Sequence, residues 1–352
     1  MKGYRLMSMV AGLLLATLTG CQFAGSDAPR PNAPDHHTLG GFRNIYIEDP
    51  AKSLFHFLAM KHFGETAWAD HAARAAEVPV RDLAVDDLLA PPPSLQASWL
   101  GHSTFLLQIA GINILTDPIF ADRASPLSFA GPKRYVPHVI DYAKLPAIDY
   151  VVISHNHYDH LDTKAVEVLG DQPQYLVPLG LKSWLVDRGV ASARVKEMDW
   201  WDEAKFADVS FQALPSQHWS ARGIFDRRAT LWASWAMKIG GRNIWFAGDT
   251  GYNTVQFKEI GKALGGVDLA LIPIGGYAPR SFMKPYHVNP EEAVKIHRDV
   301  RAAKSIGIHW GTYPLTAEGP GDPVVELARQ KRRHQLARDE FITMAIGEIA
   351  NF

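Results

Sequence analysis

Cysteine is almost absent from this chain: there is one in 352 residues, at position 21. That excludes an intramolecular disulfide framework and a thiolate metal cluster. Charge of one sign is lacking too. Lys and Arg number 36 against 37 Asp and Glu, for a net −1, which argues against a partner such as nucleic acid, bound through an excess of bases. The apolar run near the N-terminus, residues 6–18, falls short of the ~20 residues that a membrane-spanning helix needs. With 47% hydrophobic and 21% charged residues, the chain has the composition of a globular protein. What it does have is histidine, 15 in all. A metal held here must be held by imidazoles and carboxylates.

Lys2 and Arg5 precede the run 6–18, which reads as the apolar region of a secretory signal. It ends in Leu18, Thr19, Gly20 and Cys21, a sequence that resembles a bacterial lipobox. In that class of signal the Cys is lipid-modified and begins the mature chain, so Cys21 is the expected lipidation site. Residues 1–20 are then a signal peptide. Residues 21–41, broken by Gly25, Pro29, Pro31 and Pro34, read as a flexible tether. Residues 42–352 form the folded domain. Gln22 rather than Asp follows the Cys, which by lipoprotein sorting places the chain in the cell envelope, on the outer membrane facing the periplasm.

Strand patterns are expected at 96–100, 104–109, 112–116, 150–154, 175–177, 209–213, 231–239, 243–247, 269–273 and 305–308. Helices fit 53–63, 164–169, 181–186, 253–264, 290–303 and 324–336. Asn289, Pro290, Glu291 and Glu292 make a good helix start, with a cap, Pro at the first position and acids in the first turn. The order suits sheets covered by outer helices. The aromatic segment 42–68 either covers the core or forms a lipid-facing lip, with a groove from the site as its signature.

The chemistry begins after the strand at 150–154. His155, His157, Asp159 and His160 lie within six residues. Residues two apart in extended chain point the same way, so His155 and His157 can grip one ion, while Asp159 and His160 reach a second. Imidazole and carboxylate donors suit zinc and, less selectively, iron or manganese.

This run resembles the signature of the metallo-β-lactamase superfamily. Further blocks are similar to its N-acyl-phosphatidylethanolamine phospholipase D branch: Thr116 to Phe120, Gly131 to Arg134, Gln217 to Trp219, Gly248 to Tyr252, Pro273 to Tyr277, His287 to Ala293 and His309 to Thr312. The resemblance implies an αββα fold, two β-sheets face to face with outer helices. It implies a first ion on His155, His157 and His218, a second on Asp159, His160 and His309, and Asp249 bridging both. His287 resembles a family position beside the bound phosphate and would contact substrate rather than merely pack at the helix entry. His102, just after a strand, would either line the site with Tyr277 as a substrate-binding residue or be structural. Asp117 would either hold a ligand imidazole or cap the Asp-Pro turn.

The resemblance further implies a dinuclear zinc hydrolase, with Asp159, Asp249 and His287 as its catalytic groups and a metal-bridging hydroxide attacking phosphorus. The substrate would be an N-acyl-phosphatidylethanolamine-like lipid reached through the membrane anchor, and a homodimer is compatible with the family. A lactonase or other carbonyl hydrolase on the same fold stays open, because the fold does not choose the substrate.

Overall fold

The computed structural model describes residues 27–50, 52, 54–207 and 209–352; the signal segment and Cys21 lie outside them. Two short strands come first, β1 (His37–Thr38) and β2 (Gly41–Phe42), paired antiparallel. They are followed by helices α1 (Leu54–Phe63) and α2 (Val85–Leu89).

Two seven-stranded sheets form the body. The first contains β3 (Gln96–Gly101), β4 (Thr104–Ile109), β5 (Ile112–Thr116), β6 (Tyr150–Val152), β7 (Gln174–Pro178) and β8 (Val195–Met198), with β16 (Ile349–Asn351) added beside β3. The second runs in the order β15-β14-β13-β12-β11-β10-β9, where β9 is Glu203–Phe206, β10 Val209–Leu214, β11 Ser234–Ile239, β12 Arg242–Phe246, β13 Val267–Pro273, β14 Ala302–Ile308 and β15 Phe341–Ile342. Each sheet is mixed: β3-β4-β5 and β9 to β12 pair antiparallel, whereas β5 to β8 and β12 to β15 pair parallel.

Residue alternation explains why the sheets are covered on both faces. In β4, Phe105, Leu107 and Ile109 enter the inter-sheet core with Trp99, Phe211, Trp235 and Trp245. Leu106 points the other way, into a second cluster with Leu115, Tyr175 and Leu185. The outer layers include α3 (Thr163–Leu169) and α4 (Lys182–Val186), and then α5 (Gln256–Leu264), α6 (Arg280–Met283), α7 (Pro290–Asp299) and α8 (Asp322–Arg333). The αββα expectation holds. Tight hairpins come from Ala110-Gly111 and Gly240-Gly241, all four at positive φ, as two-residue primed turns require.

Asn289 and Glu292 do form a full capping box. The helix it starts ends at Asp299 rather than running to 303. Arg301 adopts φ 55°, and the chain reverses into β14. The expected strand 231–239 begins only at Ser234, because residues 231–233 are spent on contacts between the sheets: the Leu231 and Ala233 N–H groups donate to Leu179 and Ser154. Charged edge strands β8 and β9 carry no apolar run that would announce them.

Residues 27–41 differ from a free tether. His36 Nε2 and His37 Nε2 lie 2.6 and 2.7 Å from the two oxygens of Asp199, and His36 stacks on Trp200 at 4.2 Å. The Phe42 N–H donates to the Arg228 carbonyl. Gly41 makes that approach feasible: a Cβ there would stand 2.1 Å from Arg228 O.

Candidate metal centre

The expected metal ligands sit at one rim, where strands end. His155 to His160 follow β6, His218 follows β10, Asp249 follows β12 and His309 follows β14; His102 lies in the turn between β3 and β4. The second sheet closes on the first here. Trp235 Nε1 donates to the Ile153 carbonyl (2.8 Å) just before the ligand run. Gly248, at φ 57°, lets the Asp249 loop approach, since a Cβ would come within 2.5 Å of Ser154 Cβ.

The donor atoms converge. His155 Nε2 is 2.8 Å from His157 Nδ1, which is 3.3 Å from His218 Nε2. Asp249 Oδ2 is 3.2 Å from both His160 Nε2 and His309 Nε2, and 3.8 Å from His218 Nε2. Asp159 Oδ2 is 3.4 Å from His160 Nε2 and from His309 Nε2. Asp249 thus lies between the two expected ion positions. His287 Nδ1 stands 3.8 Å from Asp249 Oδ2 on the partly open side.

This set fits a metal. His160 Nε2, His309 Nε2 and Asp249 Oδ1 are buried without a hydrogen-bond partner, a cost of about 1–3 kcal/mol each unless a ligand meets them. The surrounding groups aim the ligands as partners of metal-binding imidazoles do. Asp117 accepts from His160 Nδ1 (2.6 Å) and from Ser154 N and Oγ, so it orients His160 as well as bracing the turn. His218 Nδ1 donates to the Tyr286 carbonyl (3.0 Å). His102 Nε2 contacts Asp159 Oδ2 (3.0 Å), and its carbonyl accepts from His309 N. His102 therefore buttresses two expected ligands. Both His102 and His309 hold positive φ, 52° and 59°; such strain collects at functional sites.

Electrostatics divides the cluster. Burial, partly opposed by carboxylates, keeps His157 and His218 neutral, pushed down to about 3, and His155 well below its usual range. His102 and His287 are likewise pushed to about 3, chiefly by burial. At His160 and His309 burial pulls the same way, but Asp249 and Asp159 outweigh it. His309 rises to about 9 and His160 well above its ordinary value. Burial raises Asp249, yet His160 and His309 win and hold it ionised.

Tyr277 enters the rim through its backbone. The Gly276, Tyr277 and Ala278 N–H groups all donate to the Glu318 carboxylate, and a Cβ on Gly276 would crowd His287 and His309. Residues the sequence did not single out also build the site. Arg222 Nη1 donates to the Asn156 and Leu161 carbonyls, clamping the ligand loop. Trp219 packs edge-on to His157 at 4.4 Å and carries Arg227 at 3.9 Å. A cleft beside His309, lined by His71, His102, Tyr135, Tyr313 and Glu318 among others, is mixed in polarity. It reaches His71 rather than running under residues 55–68, so it is not the expected apolar groove. Helix α1 does not bury its face on the core: Phe57 meets Trp68 and Phe282, while Phe63 is 89% exposed.

The β-lactamase superfamily domain model matches residues 112–310. The chain belongs to the metallo-β-lactamase superfamily. It is 42% identical over 311 residues to the N-acyl-phosphatidylethanolamine-hydrolyzing phospholipase D 1 of Caenorhabditis elegans, covering 84% of this chain and 86% of that protein. A mitochondrial N-acyl-phosphatidylethanolamine-hydrolyzing phospholipase D of Saccharomyces cerevisiae is 38% identical over 63% of this chain and 48% of its own length. Among solved structures, Igni18, a metallo hydrolase of the archaeon Ignicoccus hospitalis, superposes with a TM-score of 0.56 at 22% identity, covering 74% of this chain and 98% of that one. That likeness shows the fold. Together these matches make the chain a metal-dependent hydrolase.

Proposed function

We propose that this superfamily hydrolase is a phosphodiesterase of phospholipase D type, acting on N-acyl-phosphatidylethanolamine-like lipids at a centre of two zinc ions. The observation that carries this reading is the 42% identity across most of both chains to a protein with that named activity. The seven expected ligands converge within it. Two zinc ions on these donors would generate a nucleophile from water at neutral pH and offset charge on the phosphoryl oxygens.

The chain's own groups divide the remaining work. His102 steadies Asp159, and Asp117 steadies His160. Asp249 Oδ1, buried and unpartnered, takes the proton of the attacking water. His287, kept neutral by burial, offers one N–H to a phosphoryl oxygen. The new bond joins water oxygen to phosphorus, and the bond to the N-acylethanolamine oxygen breaks. That leaving oxygen takes up the proton passed through Asp249, giving phosphatidate and N-acylethanolamine. Arg227, one ring away from His157 across Trp219, adds a cation for the phosphate in a chain with almost no net charge.

A lipid anchor at Cys21 would hold the enzyme on the periplasmic face of the outer membrane. Exposed side chains on the loops that follow β5 and His218 suit contact with lipid: Phe129 at 77%, Ile224 at 80% and Phe225 at 67% exposure. Among the described residues no helix is long and apolar enough to cross a membrane. The mixed cleft beside His309 favours a second reading, a hydrolase of small carbonyl substrates such as lactones. Purified enzyme given N-acyl-phosphatidylethanolamine vesicles and, separately, a lactone panel separates the two. Phosphatidate and N-acylethanolamine without lactone opening is the expected result; lactone opening without phosphatidate overturns it.

A further inference from the structure

We propose that the N-terminal arm, residues 27–49, is a working part of the metal centre, and that Asn44 and Asp49 are positioning residues for the ligand His218. The inference rests on the two-ion reading above and adds residues far from the signature motifs. Its ground is a closed ring of hydrogen bonds around one ligand.

The His218 ring is held by the Tyr286 carbonyl, to which Nδ1 donates at 3.0 Å. The His218 backbone carbonyl is held from the opposite side by Asn44 Nδ2 at 2.9 Å. The same amide gives its other N–H to Asp49 Oδ1 at 2.6 Å. Both neighbours can only accept, so the NH2 end of Asn44 must face them. Asp49 Oδ1 also accepts from the Tyr286 hydroxyl at 2.9 Å, and Asp49 Oδ2 accepts from Arg228 Nη1 at 3.0 Å and from Asn44 N. The path thus runs from the His218 ring to Tyr286, to Asp49, to Asn44 and back to the His218 backbone.

Burial makes the ring rigid. Asn44 is 6% exposed, and the Asp49–Arg228 pair is nearly covered. The arm itself is fastened twice more, by His36 and His37 on Asp199 and by Asp27 on Arg228. None of these bonds reaches Asp159, His160 or His309, whose supports are His102 and Asp117. Loosening the arm should therefore free the ion on His155, His157 and His218 and spare the other. Groups that orient a metal-binding imidazole typically govern ~10–100-fold in affinity.

The test is ion release from the zinc-loaded full chain into excess chromogenic chelator, followed in time, with total zinc per chain and melting temperature measured alongside. Asn44→Ala should speed one release phase by about 10-fold or more and leave the other unchanged. Asn44→Asp should speed that phase further, since a carboxylate would then face a carboxylate and a carbonyl. Tyr286→Phe removes only the hydroxyl from Asp49 while keeping the carbonyl on His218. It should show the same selectivity at smaller size, and it carries the test should Asn44→Ala fail to fold. Unchanged phases in Asn44→Ala and Tyr286→Phe, or equal acceleration of both phases, would overturn the proposal. One ion per chain in the unsubstituted protein would overturn the two-ion reading alone; the arm's role would then be read from the release of that ion.

Discussion

At Asp199 two imidazoles meet one carboxylate, His36 Nε2 at 2.6 Å from Oδ1 and His37 Nε2 at 2.7 Å from Oδ2. At Asp249 imidazoles again meet a carboxylate, but at 3.2 Å for both His160 and His309. The residue types match; the pairing does not. At Asp199 each Nε2 has its own oxygen at hydrogen-bond distance, leaving His37 Nδ1 as a bare nitrogen. Around Asp249, by contrast, His160 Nε2 and His309 Nε2 converge on one carboxylate oxygen, and these two nitrogens and Asp249 Oδ1 are buried with no hydrogen-bond partner. The first arrangement is a clasp that closes on itself. The second is a donor set waiting for a cation. Convergence of His and Asp is therefore weak evidence for a metal until the lone pairs are accounted for.

The comparison can be broken from its strong side first. Asp249→Ala should abolish phosphodiester hydrolysis, by about 10³-fold or more, and lower the ions per chain; elemental analysis beside a product assay reads both. Next, stripping the metal should lower the melting temperature by roughly 5–10 °C, as expected for a ligand held near 1,000 times its dissociation constant. Asp199→Asn should leave two ions bound at saturating zinc and expose residues 36–39 to hydrogen exchange, at a cost of about 1–3 kcal/mol. Three ions per chain in the unsubstituted protein, falling to two in Asp199→Asn, would make the clasp a third metal site and break the distinction.

The smallest effect is on acid stability. Burial raises the Asp199 carboxyl, but the bonds from His36 and His37 outweigh it and hold it below its ordinary value. A carboxyl depressed in the folded state contributes stability that is present above its unfolded pKa of about 3.9 and is lost as pH falls towards the folded value. The melting temperature of Asp199→Asn should accordingly fall less steeply than that of the unsubstituted chain below about pH 4.

The ligand run was legible in the sequence because its chemistry is local. His155, His157, Asp159 and His160 follow one strand end, where alternation already predicts shared direction. His218, Asp249 and His309 were legible only through resemblance of whole blocks. Singly, a His beside Trp219 or Trp310 reads as packing. Asn44 and Asp49 carried no signal. They meet His218 and Tyr286 across more than 170 residues of chain, and nothing in the aromatic segment 42–68, read as a core cover or a lipid-facing lip, announces that its polar residues will lie against a metal ligand. Helix α1 teaches the same lesson. Its aromatic richness was visible, but which rings pack and which face solvent is set by Trp68 and Phe282.

The account's central claim is metal-dependent attack of water on phosphorus at the His155–His309 cluster. It is tested most directly by hydrolysing N-acyl-phosphatidylethanolamine in ¹⁸O-water, with zinc-loaded and with chelator-stripped enzyme, and locating the label by mass spectrometry. The account predicts label in the phosphate of phosphatidate, formed only by the zinc-loaded enzyme. Label in the N-acylethanolamine, or equal turnover by the stripped enzyme, would contradict it.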